Sequence, residues 1–348
     1  MKISRVIITG QGKVELKESE IDRDLGPGEI LVRTECSFIS AGTELSIYTA
    51  KESSVFQKGS WCAYPWKAGY ANVGTVEAIG SAVTRTEIGQ RVFTFGPHAS
   101  HFKYSQNDLV IPVPPEIEPD LAAASRMAGV ATSAMVMADR SLHSPIVAVF
   151  GLGMVGNLAA QAFQILGSRV VGIDPLPARR KIAGDCGLRH TLAGGDLQTL
   201  EKELERTTGN PKADICIEAT GLTPVVLQAL SLTANVGQLI LLGTPRAPLE
   251  GNVTTAFNEI HLRNICVRGA LEWCLPVYPP ASYRTLPLLS LWDKQVLIFD
   301  WMKNGQLLLE PMISHRLPPS RIEEAYNGLL NNSETFTGVV IDWRCGGE

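Results

Sequence analysis

The residues whose types and spacing point most directly to chemistry lie near the middle of the chain. Gly151, Gly153 and Gly156 form the run Gly-Leu-Gly-Met-Val-Gly, between the apolar IVAVF and the helical MVGNLAAQAFQIL. A lone G-x-G-x-x-G is weak, but a strand before it, a helix after it and an acidic residue further on make it a dinucleotide fingerprint. Gly151 permits the tight turn, Gly153 lets a pyrophosphate approach the backbone, and Gly156 lets the helix pack close to its strand. The loop and first helical turn (Leu152, Met154, Val155) offer free N–H groups and a positive dipole end to phosphates. Tight packing alone would also account for the glycines.

Asp174 ends the next predicted strand, 23 positions after Gly151. Its carboxylate can accept both hydroxyls of an adenosine ribose and repels a 2′-phosphate, which favours NAD. Arg179 and Arg180 follow closely and keep NADP open. ATG at 219–221 and GTP at 243–245 end later strands, so Thr220, Gly243 and Thr244 are expected on the nicotinamide side. For the two threonines, a hydroxyl that only satisfies its own loop is an equal alternative.

These residues need a scaffold that puts strand ends side by side. IVAVF, RVVGID, DICIEATG, QLILLG and ICVRG are short apolar strands alternating with helical stretches. That pattern predicts a parallel sheet covered on both faces, a doubly wound α/β domain. Residues before about 120 read differently: EILVRTECSF, ANVGTVEAIG, QRVFTF and DLVIPVPP are strands separated by turn signals, which predicts a β-rich, barrel-like unit. After 272, LWDKQVLIFDWMKNGQL and RIEEAYNGLLN read as helices and GVVIDW as a terminal strand. The expected division is 1–122 for the β-rich catalytic part, 123–272 for the dinucleotide-binding domain, and 273–348 for a segment returning to the first.

Composition excludes other classes. Lys plus Arg is 31, Asp plus Glu is 35 and the net charge is −4, which argues against nucleic acid or an anionic membrane as partner. No apolar run approaches the roughly 18 residues needed to cross a bilayer. The N-terminus reads as a strand and hairpin, not a signal peptide, so a cytoplasmic location is expected. The seven cysteines are widely spaced without C-x-x-C, which disfavours a disulfide framework or a four-cysteine zinc lobe.

Taken together, GPGEILVR, ISAGTELSIY, KAGYANVGTVEAIGSAV, IGQRVF, DLVIPVP, the glycine run and HRLPPSRIEEAYNGL resemble the medium-chain dehydrogenase/reductase superfamily over almost the whole chain. The wording SAGTE with GYANVG is closest to a zinc-poor branch that includes a bacteriochlorophyllide-type hydroxyethyl dehydrogenase. The resemblance implies a GroES-like β-barrel for substrate, an inserted Rossmann domain for the nicotinamide cofactor, and an active site in the cleft between them. It also implies three zinc ligands. At the aligned positions this chain has Ala41, Tyr70 and Ala128, and only Glu44 nearby keeps a ligand-like side chain. No zinc is therefore expected.

Without a metal, a hydrogen-bond donor or general acid must manage charge on the alcohol oxygen. Tyr70 takes the place of the ligand histidine and can donate a phenolic proton, or it is a packed barrel tyrosine with a wet hydroxyl. Thr43 takes the place of a proton-relaying hydroxyl. Glu44 can act as a base, bind a substrate hydroxyl, or serve the scaffold. His98, in GPHASHFKY with His101, Lys103 and Tyr104, has the right ordinary pKa for proton transfer, although a surface-loop histidine is an equally plain reading. Lys67 can lower the pKa of Tyr70, although a solvated lysine is the plainer reading. Glu272 and Trp273 can face substrate, and Trp61, Tyr64, Trp66 and Tyr278 can line an apolar wall or a core.

The expected function is a zinc-independent, NAD-dependent oxidoreductase that interconverts a secondary alcohol and a ketone on a small, polyhydroxylated or cyclic substrate, as a homodimer. An NADPH-dependent enone or quinone reductase and a non-catalytic dinucleotide-binding protein are the alternatives.

Overall fold

The computed structural model describes residues 1–139, 144–246, 248–279 and 289–344. The chain divides into two compact units: Met1–Arg126 with Leu275–Lys303 and Met312–Glu348, and Met127–Cys274 with residues 304–311. In chain order the first stretch holds β1 (Lys2–Gly10), β2 (Lys13–Glu20), β3 (Glu29–Phe38), α1 (Ala41–Tyr48), β4 (Trp66–Lys67), β5 (Asn72–Ile79), β6 (Arg91–Thr94), β7 (His101–Ser105), β8 (Val110–Pro112), α2 (Pro119–Ala124) and α3 (Arg126–Met137). The middle stretch holds β9 (Ile146–Phe150), α4 (Met154–Ile165), β10 (Arg169–Ile173), α5 (Pro177–Asp185), β11 (His190–Leu192), α6 (Leu197–Thr208), β12 (Ala213–Glu218), α7 (Thr223–Leu232), β13 (Thr233–Leu241), α8 (Val253–Leu262) and β14 (Cys266–Gly269). The last holds α9 (Leu291–Lys303), β15 (His315–Leu317), α10 (Ile322–Asn331) and β16 (Val339–Asp342).

In the first unit β3 is the hub. It is buried along almost its whole length and pairs antiparallel with β5, β7 and the late strand β16. Its apolar residues Ile30 and Val32 pack with Val76, Val92, Phe102 and Val110. A second core gathers Val6, Ile8, Ile39 and Ile47 with Tyr326, Leu329 and Ile341 from the C-terminal segment. The predicted N-terminal hairpin is β1–β2.

In the second unit the parallel strands run in the order β11-β10-β9-β12-β13-β14. This is the doubly wound order, and its direction reverses between β9 and β12. All five residues of IVAVF are buried, as expected for a strand covered on both faces. Helix α4 stops where Gly167 enters the left-handed region at φ 85°. Residues 304–311 join this unit through the side-chain amide of Gln161, which donates to Leu308 O at 3.0 Å and accepts from Leu308 N at 2.8 Å. Among the described residues no helix is long and apolar enough to cross a membrane.

Candidate functional site

The second unit places the glycine run at the reversal of the sheet. Gly151 adopts φ 88° immediately after β9, a conformation suited to glycine. A Cβ on Gly156 would lie 1.8 Å from Gly151 O, so the helix meets the turn backbone to backbone. A Cβ on Gly153 would meet nothing within 4 Å. The three glycines thus differ: two satisfy the protein's own packing, and the third leaves an open approach. Gly153 is the N-cap of α4 and supplies no side-chain cap, so the first N–H groups of the helix, from Met154 and Val155 onward, lack that partner and suit a phosphate.

Asp174, at the end of β10, is 1% exposed. It accepts from Leu152 N at 2.8 Å and Leu176 N at 2.9 Å, and Arg179 Nη1 lies 3.5 Å from Oδ2. These bonds leave lone pairs on the carboxylate for a ribose. Arg180 instead donates to Asp174 O at 2.6 Å and Pro175 O at 2.8 Å, shaping the loop. Thr220 turns inward: its hydroxyl donates to Glu218 and accepts from Leu222 N at 3.0 Å. Gly243 and Thr244 pack against Gly221, where an added Cβ would lie 2.4 Å from Thr244 O. The loops after β9, β12 and β13 therefore form one close-packed rim of backbone.

The first unit assembles the other predicted residues around α1. ISAGTELSIY becomes a helix beginning at Ala41, and Ser40 is its N-cap. A serine there ordinarily bonds a helix N–H, worth about 1 kcal/mol, but Ser40 makes no such bond. Its Oγ lies 2.5 Å from the Tyr70 hydroxyl, which donates to Thr43 Oγ1 at 3.2 Å. With that donor assigned, Ser40 donates to Tyr70, and the three hydroxyls form a chain. Tyr70 is held in place by its neighbour: Gly69 has φ 95°, and a Cβ there would lie 2.4 Å from His98 N.

Glu44 and His98 are both fully buried. Glu44 accepts from Ser40 N at 2.8 Å, from the Tyr326 hydroxyl, and from His98 Nε2 at 3.1 Å. The carboxylate sets the His98 tautomer, with the proton on Nε2 and Nδ1 facing Ser37 Oγ at 2.8 Å. Trp343 Nε1 donates to the same Ser37 oxygen at 2.9 Å. The surface-loop reading of His98 is thus corrected: its ring sits in the core and braces the start of α1.

Arg126, the first residue of α3, is 1% exposed. Its guanidinium carbon lies 5.0 Å from the Tyr70 ring centroid and 4.2 Å from that of Phe95. Burial pushes the Tyr70 phenol above its ordinary value, while the Arg126 charge and the Ser40 and Thr43 hydrogen bonds pull it back down. Lys67 is exposed on β4; the cation against this ring is Arg126.

The other sequence candidates lie in different surroundings. His101 approaches Glu77 at 3.6 Å, Lys103 donates to Asp24 O, and Tyr104 accepts from Phe95 N at 3.2 Å. Trp61 and Trp273 are exposed, Glu272 is buried, and Tyr278 binds the backbone around Asp108. Sequence reasoning missed Ser40 and Arg126. A serine before a helix and an arginine inside the apolar stretch AAASRMAGVATSAM were the available signals.

The positions aligned with zinc ligands offer a methyl group, a phenol and a methyl group. A tetrahedral zinc held by three thiolate, imidazole or carboxylate ligands does not fit that set. Among the described residues no group of three or more His, Cys, Asp and Glu is placed to hold a metal.

Comparison with known proteins adds the family context. The alcohol dehydrogenase GroES-like domain family matches residues 26–145, and the zinc-binding dehydrogenase family matches residues 154–283. An L-threonine 3-dehydrogenase of Mesorhizobium japonicum is 24% identical, covering 92% of this chain and 93% of its own. Galactitol-1-phosphate dehydrogenase of Escherichia coli superposes with a TM-score of 0.81 at 19% identity, over 97% of this chain and 99% of its own. An E. coli alcohol dehydrogenase solved with NADH superposes with a TM-score of 0.78 at 16% identity, over 98% and 99%.

Proposed function

Because the chain belongs to the medium-chain dehydrogenase/reductase superfamily, as an NAD(P)-dependent oxidoreductase of its alcohol dehydrogenase type, we propose that it interconverts a secondary alcohol and a ketone without zinc and with NAD as cofactor. The observation that carries this reading is the hydroxyl chain Ser40–Tyr70–Thr43, which occupies the metal-ligand segments. The nicotinamide, when bound, takes up or returns the hydride. Tyr70 holds its proton at neutral pH, since burial raises its pKa, and donates it to the ketone oxygen. Ser40 and Thr43 hold the phenol in place and carry the proton onward. Glu44 and His98 are positioning residues, fixing the start of α1 that bears both hydroxyls.

On the cofactor side, Gly151 and Gly156 shape the turn, and Gly153, Met154 and Val155 present the N–H groups. Asp174 reads the ribose, with Leu152 N and Arg179 orienting it. Thr220, Gly243 and Thr244 form the rim beneath the nicotinamide. The substrates named for L-threonine 3-dehydrogenase and galactitol-1-phosphate dehydrogenase support a small polar secondary alcohol, polyhydroxylated or cyclic. Strand β14 ends the sheet as a largely exposed edge, and the preceding helix α8 exposes Val253, Phe257 and Leu262, which supports a homodimer joined along that edge. Among the described residues six cysteines are free of disulfides, which supports a reducing, cytoplasmic setting.

The test is turnover of a panel of polyols, amino alcohols and enones with NAD and NADP, followed by reduced-nicotinamide absorbance, alongside metal analysis. NAD-linked oxidation of a secondary alcohol by protein with far less than one zinc per chain is the expected result. Stoichiometric zinc, or enone reduction with NADPH alone, would overturn the reading. Tight NAD binding without turnover of any compound would leave a dinucleotide-binding protein.

A further inference from the structure

Arg126 is among the largest fully buried side chains of the protein, and its charge faces aromatic rings. Taking a guanidinium out of water is costly, and an apolar side chain of similar length would avoid that cost. Attraction to two ring faces offsets part of it. Phe95 is backed by Phe93 at 6.0 Å, which packs on Phe299 at 6.1 Å, so one of the two rings against the guanidinium belongs to a packed aromatic cluster. Two residues along the same helix stands Ala128, aligned above with a zinc ligand.

We propose that Arg126 is a positioning residue that supplies the fixed positive charge a metal would otherwise bring, and that it acts through Tyr70. This rests on the alcohol–ketone reading. As the carbonyl carbon takes hydride, its oxygen takes the Tyr70 proton and the phenol becomes a phenolate. That negative charge forms beside the guanidinium, which stabilises it until a proton from solvent is relayed back through the partly exposed Thr43 hydroxyl. In the oxidation direction the same charge helps the phenol release its proton, so that it can accept one from the alcohol. A zinc ion stabilises the substrate oxygen directly; Arg126 stabilises the acid that serves it.

The experiment reads Tyr70 itself. Incorporating 3,5-difluorotyrosine at position 70 of the full chain lowers the phenol pKa toward neutrality and allows ionisation to be followed by fluorine NMR. In Arg126→Gln the midpoint should rise by about one pH unit or more, the size expected for losing an opposite charge at this range. Arg126→Lys should stay close to the parent. In the natural chain, ketone reduction by Arg126→Gln should lose tenfold or more in kcat with less change in KM, and Arg126→Lys should recover much of it. An unchanged midpoint in Arg126→Gln would overturn the proposal. Should that variant fail to fold, the parent background decides. The probe at 70 must ionise at lower pH than the same probe at 326, where the phenol meets Glu44, and the reverse order would overturn the proposal. A shift in the midpoint without turnover of any alcohol or ketone would uphold the role of Arg126 in tuning Tyr70 and sink the dehydrogenase reading instead.

Discussion

The glycine loop of the second unit and the hydroxyl cluster of the first are built from opposite materials. The loop is almost all backbone: glycines at a turn, bare N–H groups, and rims in which one Cβ too many would strike a carbonyl. The cluster is all side chain: three hydroxyls and a guanidinium drawn from three separate stretches of chain, braced by a buried carboxylate and imidazole. Backbone sites tolerate little change because the chain path itself fills the space a side chain would need. Side-chain sites keep the path and change the chemistry, and a frame that holds zinc elsewhere can carry phenol and guanidinium here.

Substitutions test that contrast, beginning with the largest effect. Gly156→Ala forces a Cβ against Gly151 O and should destabilise the protein by about 3 kcal/mol and abolish the rise in NADH fluorescence on binding. Gly153→Ala meets open space, so its melting temperature should match the parent while cofactor affinity falls. Equal melting losses in both would mean that the loop is purely structural. Next, Tyr70→Phe should lower kcat by about a hundredfold or more with little loss of stability, as judged by calorimetry. Full activity in this variant would remove the cluster from the chemistry. Asp174→Gly should weaken NAD and shift the NAD/NADP preference toward NADP by about tenfold, the scale of one charged hydrogen bond. An unchanged ratio would show that the ribose is read elsewhere.

The smallest effect is a pH slope. Burial pushes the Cys186 thiol up to about 11 and the Cys36 and Cys216 thiols up to about 12, and it raises Tyr70, Tyr104 and Tyr326. Each folded group holds its proton more tightly than the unfolded one. Stability is therefore full below the ordinary thiol value of 9.0 and falls as pH rises above it, more steeply beyond the ordinary phenol value of 10.0. Denaturant midpoints measured from pH 8 upward should decline in that order. A flat profile would mean that these groups are open to water.

The same contrast explains what the sequence revealed. The sheet was legible because IVAVF, QLILLG and their neighbours are apolar throughout, and the loop was legible because glycines mark backbone demands locally. The cluster was only half legible. Tyr70 and Thr43 stood out by alignment, but nothing local says that Ser40 turns its hydroxyl away from the helix it starts, or that Arg126 lies under Tyr70. Those are facts of long-range packing. Burial also separates Glu44 and His98 from the other candidates, since residue type alone does not say that both lie in the core. The detour of residues 304–311 into the second unit was equally hidden, because the bonds from Gln161 on a distant helix and the burial of Leu307 and Leu309 are long-range contacts.

The pairing of β16 with β3 sets Val340 opposite Phe38, and it carries a consequence for how the protein is made. At roughly 5–20 residues per second, β3 leaves the ribosome tens of seconds before its partner exists. Throughout that time the Cys36–Phe38 end of the hub strand lacks this partner, and N–H and C=O groups left unpaired there are a template for other strands. Glu35 and Arg33 lie on this strand, and such charges discourage mispairing. The first unit to begin is therefore among the last to be completed, and a nascent chain halted before β16 would be the form most prone to aggregate.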